Sequence, residues 1–134
     1  MLAPKRQKFR KEFRGKNRGL AYRGSLLNFG EYGLKAMTNG LISAAQIESA
    51  RKAIAHYTKR EGKIWLRIFP AKPLTAKAAG VRQGGGKGDV KEYVAVVAPG
   101  RILFELSGVS RQIASDAFSR AADKLPVRTK FLIK

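Results

Sequence analysis

Apolar positions along this 134-residue chain switch between a period near two and a period near 3.6, and the switches mark its elements. From Leu26 to Leu41 the pattern is strand-like but interrupted by Gly30, Gly33 and Gly40. That predicts one or two irregular strands, one of them around Tyr32 to Met37, with a turn at Asn39-Gly40. Ser43 with Gln46 three residues on is a capping-box signature for a helix start. Ile47, Ala50, Ile54 and Tyr57 then recur at three- and four-residue spacing, which predicts a helix with Lys59 and Arg60 in its last turn and Gly62 as its stop. From Lys63 to Phe69 the chain alternates. Ile64, Leu66 and Ile68 make a core face, while Lys63, Trp65, Arg67 and Phe69 make a second face that suits either RNA or a covering loop. Pro70 and Pro73 stop that strand. Val90 to Val97 reads as the next strand, Pro99-Gly100 as a tight turn, and Ile102, Phe104 and Leu106 as its hairpin partner. Ser110 caps a second helix with Ile113, Ala117, Phe118, Ala121 and Leu125 on its apolar stripe, and Pro126 ends it. Val127, Thr129, Phe131 and Ile133 alternate with Arg128, Lys130, Leu132 and Lys134, a last strand with a cationic outer face. The order predicts an α+β fold in a single domain, with two main helices on a mixed or antiparallel sheet.

Two stretches obey neither period. Residues 1–23 carry Lys5, Arg6, Lys8, Arg10, Lys11, Arg14, Lys16, Arg18 and Arg23 against Glu12 alone, with Phe9, Phe13 and Tyr22 between them. Such a block cannot fold on its own charge, and its expected state is an extended leader that orders against phosphates. Its rings suit stacking on unpaired bases or anchoring to the body. Residues 80–89, Gly80-Val81-Arg82-Gln83-Gly84-Gly85-Gly86-Lys87-Gly88-Asp89, hold five glycines and two cations, too little side-chain mass for a core. The expectation is a projecting loop on residues 24–134, with bare backbone N–H groups and Arg82 and Lys87 facing phosphate.

Composition sharpens this. Twenty-eight Lys and Arg against nine Asp and Glu give a formal net charge of +19, an imbalance that selects a polyanionic partner. Nucleic acid is the first choice and an anionic membrane surface the rival, yet no apolar run approaches the ~18 residues of a membrane span. The basic N-terminus is followed by no apolar core of a secretory signal. Zero cysteines exclude disulfides, thiolate metal sites and a Cys nucleophile, and the single His56, off the apolar stripe, fits surface or boundary packing rather than metal binding.

Enzyme chemistry has no foothold. A phosphate-binding Walker loop ending at Gly86-Lys87 needs Gly at position 81 and a hydroxyl at 88; the chain has Val81 and Gly88, and no helix follows. No Ser stands in a Gly-x-Ser-x-Gly elbow. Glu105, Asp116 and Asp123 read as solvated partners of nearby cations rather than as a catalytic pair. A non-enzyme with no cofactor, metal or small-molecule substrate is expected. RNA binding is the chemistry left, either inside a defined particle or as a free RNA chaperone and general nucleic-acid binder.

Several motifs together carry a resemblance. They are Pro4-Lys5-Arg6, Lys8-Phe9-Arg10-Lys11, Phe29-Gly30-x-Tyr32-Gly33-Leu34, Gln46-Ile47-Glu48-x-Ala50-Arg51 and Gly62 through Pro70. Arg82-x-Gly84-x-Gly86-Lys87-Gly88 and Lys124-Leu125-Pro126-Val127-Arg128-Thr129-Lys130-Phe131 complete the set. From end to end the chain resembles the bacterial and organellar large-subunit ribosomal protein family numbered sixteen. The resemblance implies a hammerhead-type α+β fold that binds large-subunit ribosomal RNA beside neighbouring ribosomal proteins. It also implies a place by the A- and P-site tRNAs near the peptidyl transferase centre, and a part in late subunit assembly. On that resemblance Lys5 to Arg18 thread through ribosomal RNA, and Arg82, Gln83, Gly84, Gly86, Lys87 and Gly88 form the tRNA-proximal loop. The setting implied is a ribosome of the bacterial cytoplasm or of an organelle. The chain departs from the family's common pattern at Gln83, where Met is usual, at Gly85, where Lys is frequent, and at Tyr93, where Trp often stands.

Overall fold

Ile102–Ser107 is the strand around which the body is built: from Ile102 to Glu105 every residue is fully buried, and so is Leu106. A strand covered on both faces needs material above and below it, and the computed structural model, which describes residues 1–134, supplies both. In chain order the strands are β1 (Tyr32–Ala36), β2 (Gly40–Ser43), β3 (Lys63–Leu66), β4 (Lys72–Ala76), β5 (Asp89–Val97), β6 (Ile102–Ser107) and β7 (Thr129–Ile133). Helices α1 (Ala44–Tyr57) and α2 (Arg111–Ala122) complete the α+β architecture. All strand pairs are antiparallel, but they divide into two sheets, β3-β6-β1-β7 and β2-β5-β4.

Cross-strand partners share a face. Leu34 therefore stands with Phe104 and Phe131, and Ile64 with Leu106, on the side that the helices cover. Phe131 stacks on Tyr32 with ring centres 5.8 Å apart and meets Phe118 of α2 at 5.9 Å. Helix α1 starts as expected: Ser43 Oγ accepts the Gln46 N–H at 3.2 Å while Gln46 Oε1 accepts the Ser43 N–H at 2.9 Å. Ile47, Ala50 and Ile54 are its buried stripe. No helix is long and apolar enough to cross a membrane.

Five expectations are corrected. Helix α1 ends at Tyr57 with Thr58 as its C-cap, so Lys59 and Arg60 lie beyond it, in left-handed backbone with φ of 53° and 63°. Val97 and Ile102 do not flank a hairpin: the Pro99-Gly100 turn carries the chain from the three-stranded sheet to the four-stranded one, and β5 instead pairs with β4 and β2. A turn signal fixes a reversal of direction but not which edge the next strand joins. Pro73 does not exclude a strand either; it sits in β4, at a sheet edge, where a missing N–H donor costs no ladder bond. In α2 the buried stripe is Ala114, Ala117, Phe118 and Ala121, while Ile113 in the first turn is 37% exposed. Finally, Glu105 is no solvated partner.

Glu105 is 0% exposed. Its Oε2 accepts from Arg67 Nη1 at 2.6 Å, and its Oε1 accepts the consecutive backbone N–H groups of Asn28, Phe29 and Gly30 at 2.9 to 3.1 Å. Burying a carboxylate is costly without such partners. Here burial, the largest single influence, raises its pKa, but the Arg67 hydrogen bond and the backbone donors outweigh it and hold the group below its ordinary value. Gly30 is required for the approach, since a Cβ there would lie 2.8 Å from the Leu106 carbonyl oxygen. Through this carboxylate the chain before β1 is pinned over the second face of β3. Phe29 stacks on Trp65 at 6.0 Å, with Arg67 over Phe29 and Lys63 over Trp65. Trp65 and Arg67 of that face are therefore the loop-covered ones, while Lys63 and Phe69 at its two ends stay exposed, Phe69 at 47%.

Candidate nucleic-acid interface

Residues 1–31 contain no helix or strand, as their charge demands, yet they lie along the body. Gln7 Nε2 donates to Ala71 O at 3.0 Å, and Asn17 Nδ2 donates to Val97 O at 2.9 Å. Asn39 Nδ2 returns a bond to Asn17 O at 2.7 Å, Lys72 donates to Arg14 O, and the Ala21 N–H donates to Pro99 O at 2.9 Å. Further on, Arg101 Nη1 reaches Arg23 O at 3.2 Å, and the Ile102 N–H donates to Gly24 O at 2.8 Å. The ties use backbone and amide groups of the leader, apart from one lysine. None of Lys5, Arg6, Lys8, Arg10, Arg14, Lys16 and Arg18 donates a side-chain bond to the body. Lys5, Arg6, Lys8, Arg10, Arg14, Lys16 and Arg18 are all exposed, while Asn17 between the last two is half-buried. Phe13 is 91% exposed and Tyr22 87%, values that leave both rings free to stack.

The Gly-rich segment is the connection of the β4–β5 hairpin. Gly84, Gly85 and Gly86 hold φ of 94°, 77° and 102°, three successive left-handed positions that side-chain-bearing residues rarely adopt. Arg82, Gln83, Gly84, Gly86 and Lys87 are exposed, and no neighbouring atom lies within 4 Å of a Cβ built on Gly84, Gly85 or Gly86. Gly88 differs: a Cβ there would come 2.7 Å from the Ala76 carbonyl group, so it closes the base of the hairpin rather than belonging to its tip. Lys77 donates to Gly84 O and braces the loop from below.

Leader and loop meet. Lys11 Nζ, the exception among the leader cations, donates to Lys87 O at 3.1 Å. Phe9, Glu12 and Phe13 line a hollow with these two lysines. Aromatic faces beside ammonium groups are a combination suited to a nucleic-acid strand, bases on the rings and phosphates on the cations. Separation by 76 residues hid this adjacency from the sequence, as it hid Lys72, a brace beneath the leader.

Electrostatics point the same way. The nine acids form two ion pairs, Glu48–Arg51 at 2.5 Å and Glu105–Arg67 at 2.6 Å, so the other Lys and Arg have no internal carboxylate partner. Repulsion of this size is relieved by external anions.

The family described as Ribosomal protein L16p/L10e matches residues 4–132. The large ribosomal subunit protein uL16 of Alkalilimnicola ehrlichii is 58% identical over 132 residues, covering 98% of this chain and 96% of the relative. The uL16 protein of Francisella tularensis subsp. holarctica is 55% identical over 134 residues, covering 100% of this chain and 98% of the relative. At this identity and coverage, with the fold and the exposed cationic leader and loop in place, the chain belongs to the ribosomal protein L16p/L10e family.

Proposed function

We propose that the chain is a structural constituent of the large ribosomal subunit in the bacterial cytoplasm, with a binding role and no catalytic one. In this reading residues 1–23 are the RNA-binding extension of a body formed by residues 24–134. Lys5, Arg6, Lys8, Arg10, Lys11, Arg14, Lys16 and Arg18 neutralise large-subunit ribosomal RNA. Arg82, Gln83, Gly84, Gly86 and Lys87, on a base closed by Gly88, present the hairpin tip to the A- and P-site tRNAs near the peptidyl transferase centre. Ordering that region links the protein to late subunit assembly. The observation that carries the reading is the Lys11–Lys87 contact, which joins leader and loop into one cationic surface on a family member of the large subunit.

The division of labour follows from chemistry. Phosphate neutralisation by the leader supplies affinity with little sequence choice, and six to ten such contacts cost roughly 10³–10⁵ in affinity between 50 and 200 mM salt. The loop adds little to stability, since it buries almost nothing, and its backbone N–H groups and two cations are left for a ligand.

A high-salt sucrose gradient tests the particle assignment: one copy per large subunit is expected. Protein left at the top of the gradient at low salt would favour the free RNA chaperone instead. A photo-crosslinker replacing Gln83 tests the loop. Crosslinks to tRNA in programmed ribosomes are expected, and crosslinks to ribosomal RNA alone would remove tRNA positioning from the assignment.

A further inference from the structure

Two connections cross between the sheets, residues 37–39 from β1 to β2 and residues 98–101 from β5 to β6. Their ends are bonded together: the Gly100 N–H donates to Ala36 O at 2.7 Å, and the Ala36 N–H donates to Arg101 O at 2.8 Å. Residues 17–24 of the leader run along this seam and bond to both crossings. At the first, Asn39 Nδ2 donates to Asn17 O at 2.7 Å. Asn17 Nδ2 in turn donates to Val97 O at 2.9 Å and to Gly40 O at 3.4 Å, at the point where Gly40 and Val97 face each other across β2 and β5. The turn that carries Asn39 is itself fixed, since the Met37 N–H donates to Arg128 O and the Arg128 N–H donates to Thr38 Oγ1. At the second crossing the Ala21 N–H holds Pro99 O, Arg101 Nη1 holds Arg23 O, and the Ile102 N–H holds Gly24 O. Arg101 Nη2 continues to Arg67 O at 2.7 Å, which ties the same guanidinium to the chain just past β3.

The leader is not uniform along its length. Before Asn17 its side-chain ties, at Gln7, Lys11 and Arg14, are all exposed to water. From Asn17 onward they are part-buried or made by the backbone itself. Beneath Ala21, Tyr22 and Arg23 lies a hollow lined by Ile68, Phe69, Ala95 and Val96, and Tyr22 is 87% exposed. The segment is thus held by its hydrogen bonds rather than by packed side chains. We propose that residues 17–24 form a staple that stays docked across the seam in the free protein, with Asn17 and Asn39 as its positioning residues. The movable cationic arm then ends at Lys16, not at residue 23. The positioning role rests on the reading that the chain's partner is RNA.

A fixed root has a physical consequence. Every residue that binding must order costs conformational entropy, and an arm rooted in place beside the hairpin leaves fewer to order. The staple puts that root on the three-stranded sheet at Val97, so Lys11 starts within reach of Lys87 at the hairpin tip. Neither asparagine carries charge, so their effect is separable from phosphate neutralisation. Loss of the staple lowers affinity while the number of cations, and therefore the salt slope, stays the same.

The test uses the full chain without RNA first, by NMR hydrogen exchange. The Ala21 N–H reports the staple, and the Ala36 N–H, bonded across the seam without the leader, is the internal control. In the parent both amides are expected to exchange slowly. Asn39→Ala and Asn17→Ala should each speed exchange at Ala21 by about 2- to 10-fold and leave Ala36 unchanged. The double variant should combine the two effects. Affinity responds only once the staple is open most of the time, so RNA binding is read on the double variant. With an unstructured RNA oligonucleotide titrated over a range of salt, it should bind about 3-fold more weakly than the parent at an unchanged salt slope. Free exchange at Ala21 in the parent would overturn the staple. Equal acceleration at Ala36 would overturn it too, because the asparagines would then be holding the body together. Unchanged affinity in a double variant whose Ala21 amide is unprotected would overturn the positioning role. A parent that shows no salt-dependent RNA binding while Ala21 stays protected would overturn the RNA reading and uphold the staple.

Discussion

The two sheets treat charge in opposite ways. The four-stranded sheet takes a carboxylate inside, and Glu105 is surrounded by an arginine and three backbone donors until no polar atom of the pocket lacks a partner. The three-stranded sheet ends in a hairpin whose Arg82 and Lys87 stay in water beside Lys11. Satisfied burial fixes geometry, because a buried group that loses its partner is expensive. Unpaired exposed charge fixes nothing until an anion arrives. The first sheet is the mount and the second the presenting surface.

The sharpest way to break this contrast is to remove the interior charge. Glu105→Ala strands Arg67 and three N–H groups, and a loss of about 3–5 kcal/mol is expected in urea unfolding. A loss under about 1 kcal/mol would mean that the pocket is not a mount at all. Next comes Gly30→Ala, where the added methyl meets the Leu106 carbonyl oxygen and has no flexible neighbour to displace. A cost of about 1–3 kcal/mol in the same measurement is expected, with little change in RNA affinity.

Acid sharpens the comparison further. The folded pKa of Glu105 lies below its ordinary 4.5, so the unfolded chain binds more protons there. Its stabilising effect is complete above pH 4.5 and fades as pH falls through the folded value. Glu105→Gln should remove that part of the acid dependence, seen as a flatter Tm profile below pH 4.5. On the presenting side, Lys8→Ala, Arg10→Ala, Lys11→Ala and Arg14→Ala together should lower the salt slope of RNA binding by about 4. An unchanged slope would detach the leader from RNA. The smallest thermal effect belongs to Arg82→Ala with Lys87→Ala: an unaltered Tm with impaired tRNA accommodation. A large drop in Tm would make the loop structural.

Elements that declare themselves locally were legible in the sequence. Ser43 and Gln46 satisfy each other within one turn, so the start of α1 needed no distant partner. The α+β class, β7 and a Gly-rich loop followed from period and composition in the same way, although β4, the strand that makes that loop a hairpin, did not. The charge blocks named the class of partner, and the motifs named the family. What failed depended on distant chain. The alternation of Lys63 to Phe69 left two covers possible, and only the Glu105–Gly30 bonds choose the loop carrying Phe29. Ile113 and Ala114 differ by 100° around the helix axis in ideal geometry, and the sheet beneath decides which one is inside.

By itself, then, the sequence determined the helix N-caps at Ser43 and Ser110, most of the strand periods, the surplus of positive charge and the family, because each is written in neighbouring residues or in totals. Tertiary structure alone decided that the chain crosses between sheets at Pro99-Gly100, that Glu105 is an interior charge, and that Lys11 meets Lys87. Those facts depend on which surfaces touch after collapse, a matter of packing between residues far apart in the chain that no local pattern encodes.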